Sequence, residues 1–232
     1  MGSRARSSFK RIASGAARRR LAGCVAFVAA VLGLAGFGGS ALADQPVRIL
    51  AFGDSLTAGT GLNPDEIFPA RLQARLKADG IDAVVLNGGF FGDTTGGGRA
   101  RLKWSLKDKP QYAIVELGAN DALRGVAPSV AEANLDTILA RLRDAHVKVL
   151  LAGMRAPASW GREYQAAFEA IYPRLAAKYD VPLYPFFPDD VAAGSALTSG
   201  GGLHPTAYGV ETVVARIAPV VERLIGPRQP GG

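Results

Sequence analysis

Ser55 stands in the stretch Phe52-Gly53-Asp54-Ser55-Leu56-Thr57, where the apolar run from Val47 to Phe52 ends. A strand buried in a parallel sheet holds its last residue rigidly, and Gly53 lets the backbone turn so that the next side chains face outward, a placement that suits a nucleophile. The same residues also suit a plain strand-to-helix turn in which Asp54 or Ser55 caps a helix. A serine hydroxyl is a weak nucleophile at neutral pH and needs a base within hydrogen-bond reach. The chain has two histidines. His146 falls between a helix and a strand at the amino end of the sheet and reads as an ordinary surface residue, which leaves His204 as the only credible base. The chemistry open to such a pair is acyl transfer to water, with Ser55 Oγ attacking an ester or thioester carbonyl.

The elements that must position these residues are short apolar runs alternating with amphipathic segments. The runs are Val47 to Phe52, Ala83 to Leu86, Tyr112 to Leu117, Val147 to Ala152 and Val181 to Tyr184. Between them lie helical patterns carrying Phe68, Leu72 and Leu76, then Leu102 and Leu106, then Leu135, Ile138, Leu139 and Leu142, then Phe168, Ile171 and Leu175. A disturbance is expected at Pro173 in the fourth of these, and another at Pro219 in the last helix, which carries Val210, Val213, Val214, Ile217, Val221 and Leu224. Pro182 and Pro185 place the fifth strand at an edge, because proline cannot donate to the ladder. Five strands alternating with helices predict an α/β fold, a three-layer α/β/α flavodoxin-like sandwich whose five-stranded parallel sheet has the order 2-1-3-4-5. In that order the first strand neighbours the second and third. Ser55, Gly92 in the loop after strand two, and Asn120 after strand three then meet over one crevice at the carboxyl ends of the strands. Taken singly, Gly92 also reads as the turn into a helix and Asn120 as a turn residue.

Residues 1–43 differ from everything after them. They contain Arg4, Arg6, Lys10, Arg11, Arg18, Arg19 and Arg20, no acid, and an apolar run from Leu21 to about Phe37 that ends in Ala41-Leu42-Ala43. This is the pattern of a secretory signal peptide cleaved near Ala43, with the arginines also open to a twin-arginine export signal. Leu21-Ala22-Gly23-Cys24 resembles a lipoprotein site, but the apolar residues follow the cysteine instead of preceding it. With seven of the 27 basic residues in this segment, 20 remain against 20 acidic ones, so the formal charge of +7 belongs to the leader. A nucleic-acid reading based on charge lapses, and no later apolar segment is long enough to span a bilayer. The domain at residues 44–232 has no cysteine, which excludes disulfides and thiol catalysis. The expected location is periplasmic or secreted.

With these pieces in order, the chain resembles the SGNH hydrolases, also called the GDSL esterase and lipase family. Gly53-Asp54-Ser55-Leu56 matches the first block, Gly92 in Gly92-Asp93-Thr94-Thr95 the second, Gly118-Ala119-Asn120-Asp121 the third and His204-Pro205 the last. It is most similar to the small secreted arylesterase or acyl-CoA thioesterase I branch, some members of which have lysophospholipase activity. The resemblance implies an oxyanion hole made of the backbone N–H groups of Ser55 and Gly92 and the side-chain amide of Asn120. Pre-placed donors of this kind each lower the barrier by about 3 kcal/mol. It implies no cofactor, no metal, a small-molecule ester or thioester as partner, no stable membrane anchor, and a monomer.

One position departs from the family. The aspartate usually found three residues before the histidine is Gly201 here. Either Ser55 and His204 work as a dyad or another acid, such as Asp189 or Asp190, orients the ring, and the third triad member is left unassigned. The rim is expected to be apolar, from Phe90 and Phe91 before Gly92 and from Met154, Trp160, Phe186 and Phe187 after strands four and five, with core packing the other reading of each. Two alternatives belong to the same fold, a carbohydrate O-acetylesterase and a binding module with weakened catalysis. A metal phosphatase built on Asp54, Asp93 and Asp121 lacks a phosphate-binding lysine motif or a clustered ligand pattern. Gly96-Gly97-Gly98 is not a phosphate loop, because Lys-Ser or Lys-Thr does not follow.

Overall fold

Strand β1 (Val47–Gly53) is apolar without alternation from Ile49 onward, and Ile49, Leu50, Ala51 and Phe52 are all buried, as a strand covered on both faces requires. It lies between β2 (Ala83–Gly89) and β3 (Tyr112–Glu116), pairing in parallel with both, and β4 (Lys148–Ala152) and β5 (Leu183–Tyr184) continue the sheet. The order is β2-β1-β3-β4-β5, the one expected from the sequence. The computed structural model describes residues 45–185, 198–199 and 204–227, and the chain from Pro46 onward forms one unit. Residues 1–43, expected from the sequence to be a leader, lie outside the described residues.

A one-turn helix, α1 (Ser55–Ala58), follows β1 directly, and α2 (Phe68–Ala78) begins with Pro69 in its first turn, where no N–H is needed. Next come α3 (Thr95–Ser105), α4 (Ala119–Leu123), α5 (Pro128–Asp144), α6 (Arg162–Glu169), α7 (Ile171–Tyr179) and α8 (Ala207–Ile225). On one side α8 packs on α2, burying Val210, Val213, Val214 and Ile217, with Arg71 and Glu211 paired at 2.7 Å at its margin. On the other, α5 packs between α3 and α7 and buries Leu135, Ile138, Leu139 and Leu142. Burial of each such leucine or isoleucine stabilises the fold by about 2 kcal/mol.

Four local expectations shift. β2 runs on through Asn87-Gly88-Gly89, because those residues pair with Ala51, Phe52 and Gly53, whereas β5 is only two residues long beside its prolines. The helix expected to break at Pro173 breaks at Ala170 instead, which puts Pro173 in the first turn of α7, where a missing N–H costs nothing. Helix α8 runs unbroken past Pro219. Its buried valine and isoleucine face holds both sides of the proline against the sheet layer. A short antiparallel pair, β6 (Thr198–Ser199) with β7 (His204–Pro205), was not anticipated.

Candidate active site

Asp54 joins β1 to α1. Its Oδ1 accepts from the Leu56 N–H at 2.9 Å and so caps the helix, while Gly59, in the left-handed region, ends it one turn later. The capping reading of Asp54 is therefore realised, with Ser55 itself buried at the turn. Ser55 is the first residue of α1, and the Nε2 of His204 lies 3.1 Å from its Oγ. His204 is held from two sides. Its strand β7 pairs with β6 in the register Ser199 to His204, and Thr206 immediately afterwards caps α8 by accepting from the Gly209 N–H at 3.1 Å. His146 is exposed at the far end of the sheet, just before β4.

The loops after β2 and β3 close on the same place. Phe90 donates its N–H to the Gly53 carbonyl at 3.1 Å. Gly92 has φ of +69°, a left-handed backbone that favours glycine, and its carbonyl accepts from Arg124 Nη2 at 3.0 Å. Asn120 sits in the first turn of α4, straight after β3, and its Nδ2 donates to Asp54 Oδ2 at 3.0 Å. Ser55, Gly92, Asn120 and His204 are thus brought to one end of the sheet, the carboxyl end.

Beneath this cluster lies an acid that the sequence reading passed over. Glu116 ends β3 and is fully buried; its Oε2 accepts from Thr57 Oγ1 at 2.7 Å and from the Asp54 N–H at 3.3 Å, while its Oε1 has no partner among the described residues. Gly53 makes room for it, since a Cβ there would strike Thr57 Oγ1 and the Glu116 carboxyl. Burial, reinforced by the nearby Asp54 charge, pushes the Glu116 carboxyl well above its ordinary range. Burial likewise raises Asp54 from 3.8 to about 6, against the lowering effect of the bonds from Leu56 and Asn120. A charged residue closing an otherwise apolar strand was the available signal for Glu116.

The other strand-end acids are engaged with protein. Asp121 Oδ2 accepts from the Thr95 N–H and Oδ1 from Thr95 Oγ1, both at 2.7 Å, which ties the start of α3 to α4; burial raises its carboxyl. Asp93 pairs with Arg101 at 2.7 Å. Arg101 also donates to the carbonyls of Gly53 and Gly88, both at 2.8 Å, and its guanidinium stacks 4.2 Å from the Phe52 ring. It thereby staples the ends of β1 and β2, a role that no spacing in the sequence signals.

At the rim, Phe90 and Phe91 are 62% and 67% exposed. Trp160, 49% exposed, heads an aromatic column through Tyr164, Phe168 and Tyr172 and packs on Gly125, in the turn after α4. Met154 does not belong to the rim. It is fully buried and packs in the hydrophobic core just past the end of β4. Phe186, Phe187, Asp189, Asp190 and Gly201 lie outside the described residues. A cleft of about 400 Å³, lined by Leu139, Arg143, Tyr179 and Leu224 among others, opens at the amino ends of β4 and β5. It contains none of the residues that meet at Ser55, so the geometry of the strand ends, and not cavity size, locates the candidate site.

A serine–imidazole pair and a side-chain amide over the switch point of a parallel sheet form the arrangement of a serine ester hydrolase. The chain belongs to the GDSL-like Lipase/Acylhydrolase family, whose pattern matches residues 51–211. It is 35% identical over 178 residues to a Pseudomonas aeruginosa protein named Esterase TesA, covering 76% of this chain and 89% of that one. It is 40% identical over 158 residues to an Escherichia coli protein named Thioesterase 1/protease 1/lysophospholipase L1, covering 68% and 74%. Among solved structures it resembles AlinE4, described as an SGNH-hydrolase family esterase, with a TM-score of 0.66 at 46% identity over 79% of this chain and 98% of that one. The crystal structure of TesA matches with a TM-score of 0.72 at 35% identity, over 76% and 99%.

Proposed function

We propose that this protein is a serine hydrolase of carboxylic esters or thioesters that works through an acyl-enzyme on Ser55. The observation that carries the reading is the 3.1 Å approach of His204 Nε2 to Ser55 Oγ at the carboxyl end of the sheet. Ser55 Oγ bonds to the substrate carbonyl carbon as His204 takes its proton. The resulting oxyanion is met by the N–H groups of Ser55 and Gly92 and by Asn120 Nδ2. Collapse breaks the bond to the alcohol or thiol, which leaves with the proton from His204. Water then attacks the acyl-enzyme with His204 again as base, and the carboxylic acid departs while Ser55 recovers its proton.

The names of the relatives support aryl esters, acyl thioesters and lysophospholipids as substrate classes. The exposed Phe90, Phe91 and Trp160 support an apolar acyl group over an acetylated sugar. Among the described residues no helix is long and apolar enough to cross a membrane. The basic, then apolar, leader at 1–43 supports export to the periplasm or beyond with cleavage near Ala43, leaving a monomeric domain at 44–232. Initial rates on a panel of aryl esters and acyl thioesters of graded chain length, with acetylated xylan beside them, test the reading. Serine-dependent turnover of acyl esters is expected; a preference for the acetylated sugar overturns the apolar-rim assignment, and no turnover at all favours a binding module.

A further inference from the structure

An amide used to stabilise an oxyanion must be held still, because a donor that can swing toward water loses its advantage in the transition state. Asn120 Nδ2 carries two hydrogens. One is committed to Asp54 Oδ2 at 3.0 Å, and the other has no acceptor among the described residues. Asp54 is itself immobilised: it is fully buried, and its second oxygen is taken by the Leu56 N–H of the helix that begins with Ser55. One carboxylate therefore ties the turn carrying Ser55 to the side chain of Asn120 across two strands. We propose that Asp54 is a positioning residue for the hydrolysis, its buried carboxylate clamping Asn120 so that the free Nδ2 hydrogen is aimed at the oxygen of the bound carbonyl.

The clamp needs Asp54 ionised at working pH; burial and the charges of Asp93 and Asp121 oppose this, while the bonds from the Leu56 N–H and the Asn120 amide favour it. Glu116 accepts from Thr57 and from the Asp54 N–H through one oxygen only, its other oxygen orphaned, an arrangement that suits a neutral carboxyl. A neutral Glu116 leaves Asp54 as the one charge of the pair. The remaining charged and titratable groups near Asp54 are Asp93, paired with Arg101, and Asp121, bonded to Thr95, both of which raise its carboxyl, together with Tyr172, whose hydroxyl donates to the Leu117 carbonyl, and His204 beyond Ser55. When Asp54 is protonated, the charge that fixes the amide is gone, so turnover loses a second contribution on the acid side besides protonation of His204.

The proposal rests on the hydrolase reading above, and a double-mutant cycle separates the two. In Asp54→Asn the oxygen keeps the cap to Leu56 and the new NH₂ faces Asn120 Nδ2, two donors head to head. On an aryl ester, Asp54→Asn is expected to lower kcat by roughly ten- to a hundredfold with KM changed less than about twofold, and Asn120→Ala by about 10²- to 10³-fold. The double variant is expected to be no slower than Asn120→Ala, since Asp54 acts through that amide. Losses that multiply, or a wild-type kcat in Asp54→Asn, overturn the clamp; substantial turnover in Ser55→Ala overturns the hydrolase reading instead. Should Asp54→Asn fail to fold, NMR of His204→Ala decides the matter with Asp54 in place. The Asn120 side-chain NH₂ signals are expected to shift as Asp54 is protonated, and signals unmoved from pH 5 to pH 8 contradict the proposal.

Discussion

Asp54 is a charge held in the interior for its chemistry, and its cost should be measurable. Its carboxyl is raised from 3.8 to about 6, chiefly by burial. The folded protein therefore binds this proton more tightly than the unfolded chain. The corresponding stability is fully present below the unfolded value and is lost as pH rises through about 6. A shift of this size corresponds to about 3 kcal/mol over the whole window, of which ~2 kcal/mol falls between pH 4.5 and 7. Asparagine does not titrate, so the stability of wild type minus that of Asp54→Asn should fall by that amount across the window. Any constant offset from the lost clamp leaves the change untouched. Urea unfolding of both proteins, followed by circular dichroism at half-unit pH steps, reads the difference directly. A difference that is flat, or that rises with pH, refutes the view that Asp54 is a desolvated carboxyl ionised against its environment.

Other perturbations follow from the same contacts. Thr57→Val keeps the shape but removes the 2.7 Å donor to Glu116, and should destabilise the protein by about 1 to 3 kcal/mol in urea unfolding with an unchanged m-value; no loss means that the buried bond has a substitute. Arg101→Met leaves Asp93 and two strand-end carbonyls without their donor, and should lower stability by about 3 kcal/mol and slow turnover by loosening the Ser55 turn; wild-type stability contradicts the staple. In Gly92→Ala the new methyl has room, its nearest neighbour being Arg124 Nη2 at 3.7 Å, but the left-handed backbone is strained by about 1–2 kcal/mol. Its kcat should fall at least tenfold with little change in KM, and an undiminished kcat removes the Gly92 amide from the oxyanion site. Trp160→Ala should raise KM for long acyl chains more than for acetyl esters, and equal effects on both place the acyl group elsewhere.

The sheet was legible because the inner strands β1, β3 and β4 each carry an apolar run, as a strand buried on both faces requires. The meeting of Ser55, Gly92 and Asn120 was legible for a related reason: the order 2-1-3-4-5 dictates which loops are neighbours. His204 could be singled out as the histidine that meets Ser55, but the β6–β7 pairing that holds its backbone could not, since two-residue strands leave no periodic trace. Glu116 and Arg101 were missed because their partners, Thr57 and the carbonyls of Gly53 and Gly88, lie 59, 48 and 13 residues away, and only the folded register brings them together. Met154 was misplaced because an apolar residue after a strand reads equally as rim or core. The break at Ala170 was misplaced because a proline's effect depends on its position within a turn, which the hydrophobic spacing alone does not fix.

The most direct test of the account is covalent. The protein is incubated with an aryl fluorophosphonate, digested and weighed by mass spectrometry. One phosphonyl group is expected on the peptide containing Ser55, with none on Ser55→Ala and much slower labelling of His204→Ala. Ser55→Ala should also retain its circular dichroism spectrum and less than a tenth of wild-type turnover. Labelling on another residue, or turnover by Ser55→Ala above a tenth of wild type with the fold intact, contradicts the assignment of Ser55 as nucleophile and His204 as its base.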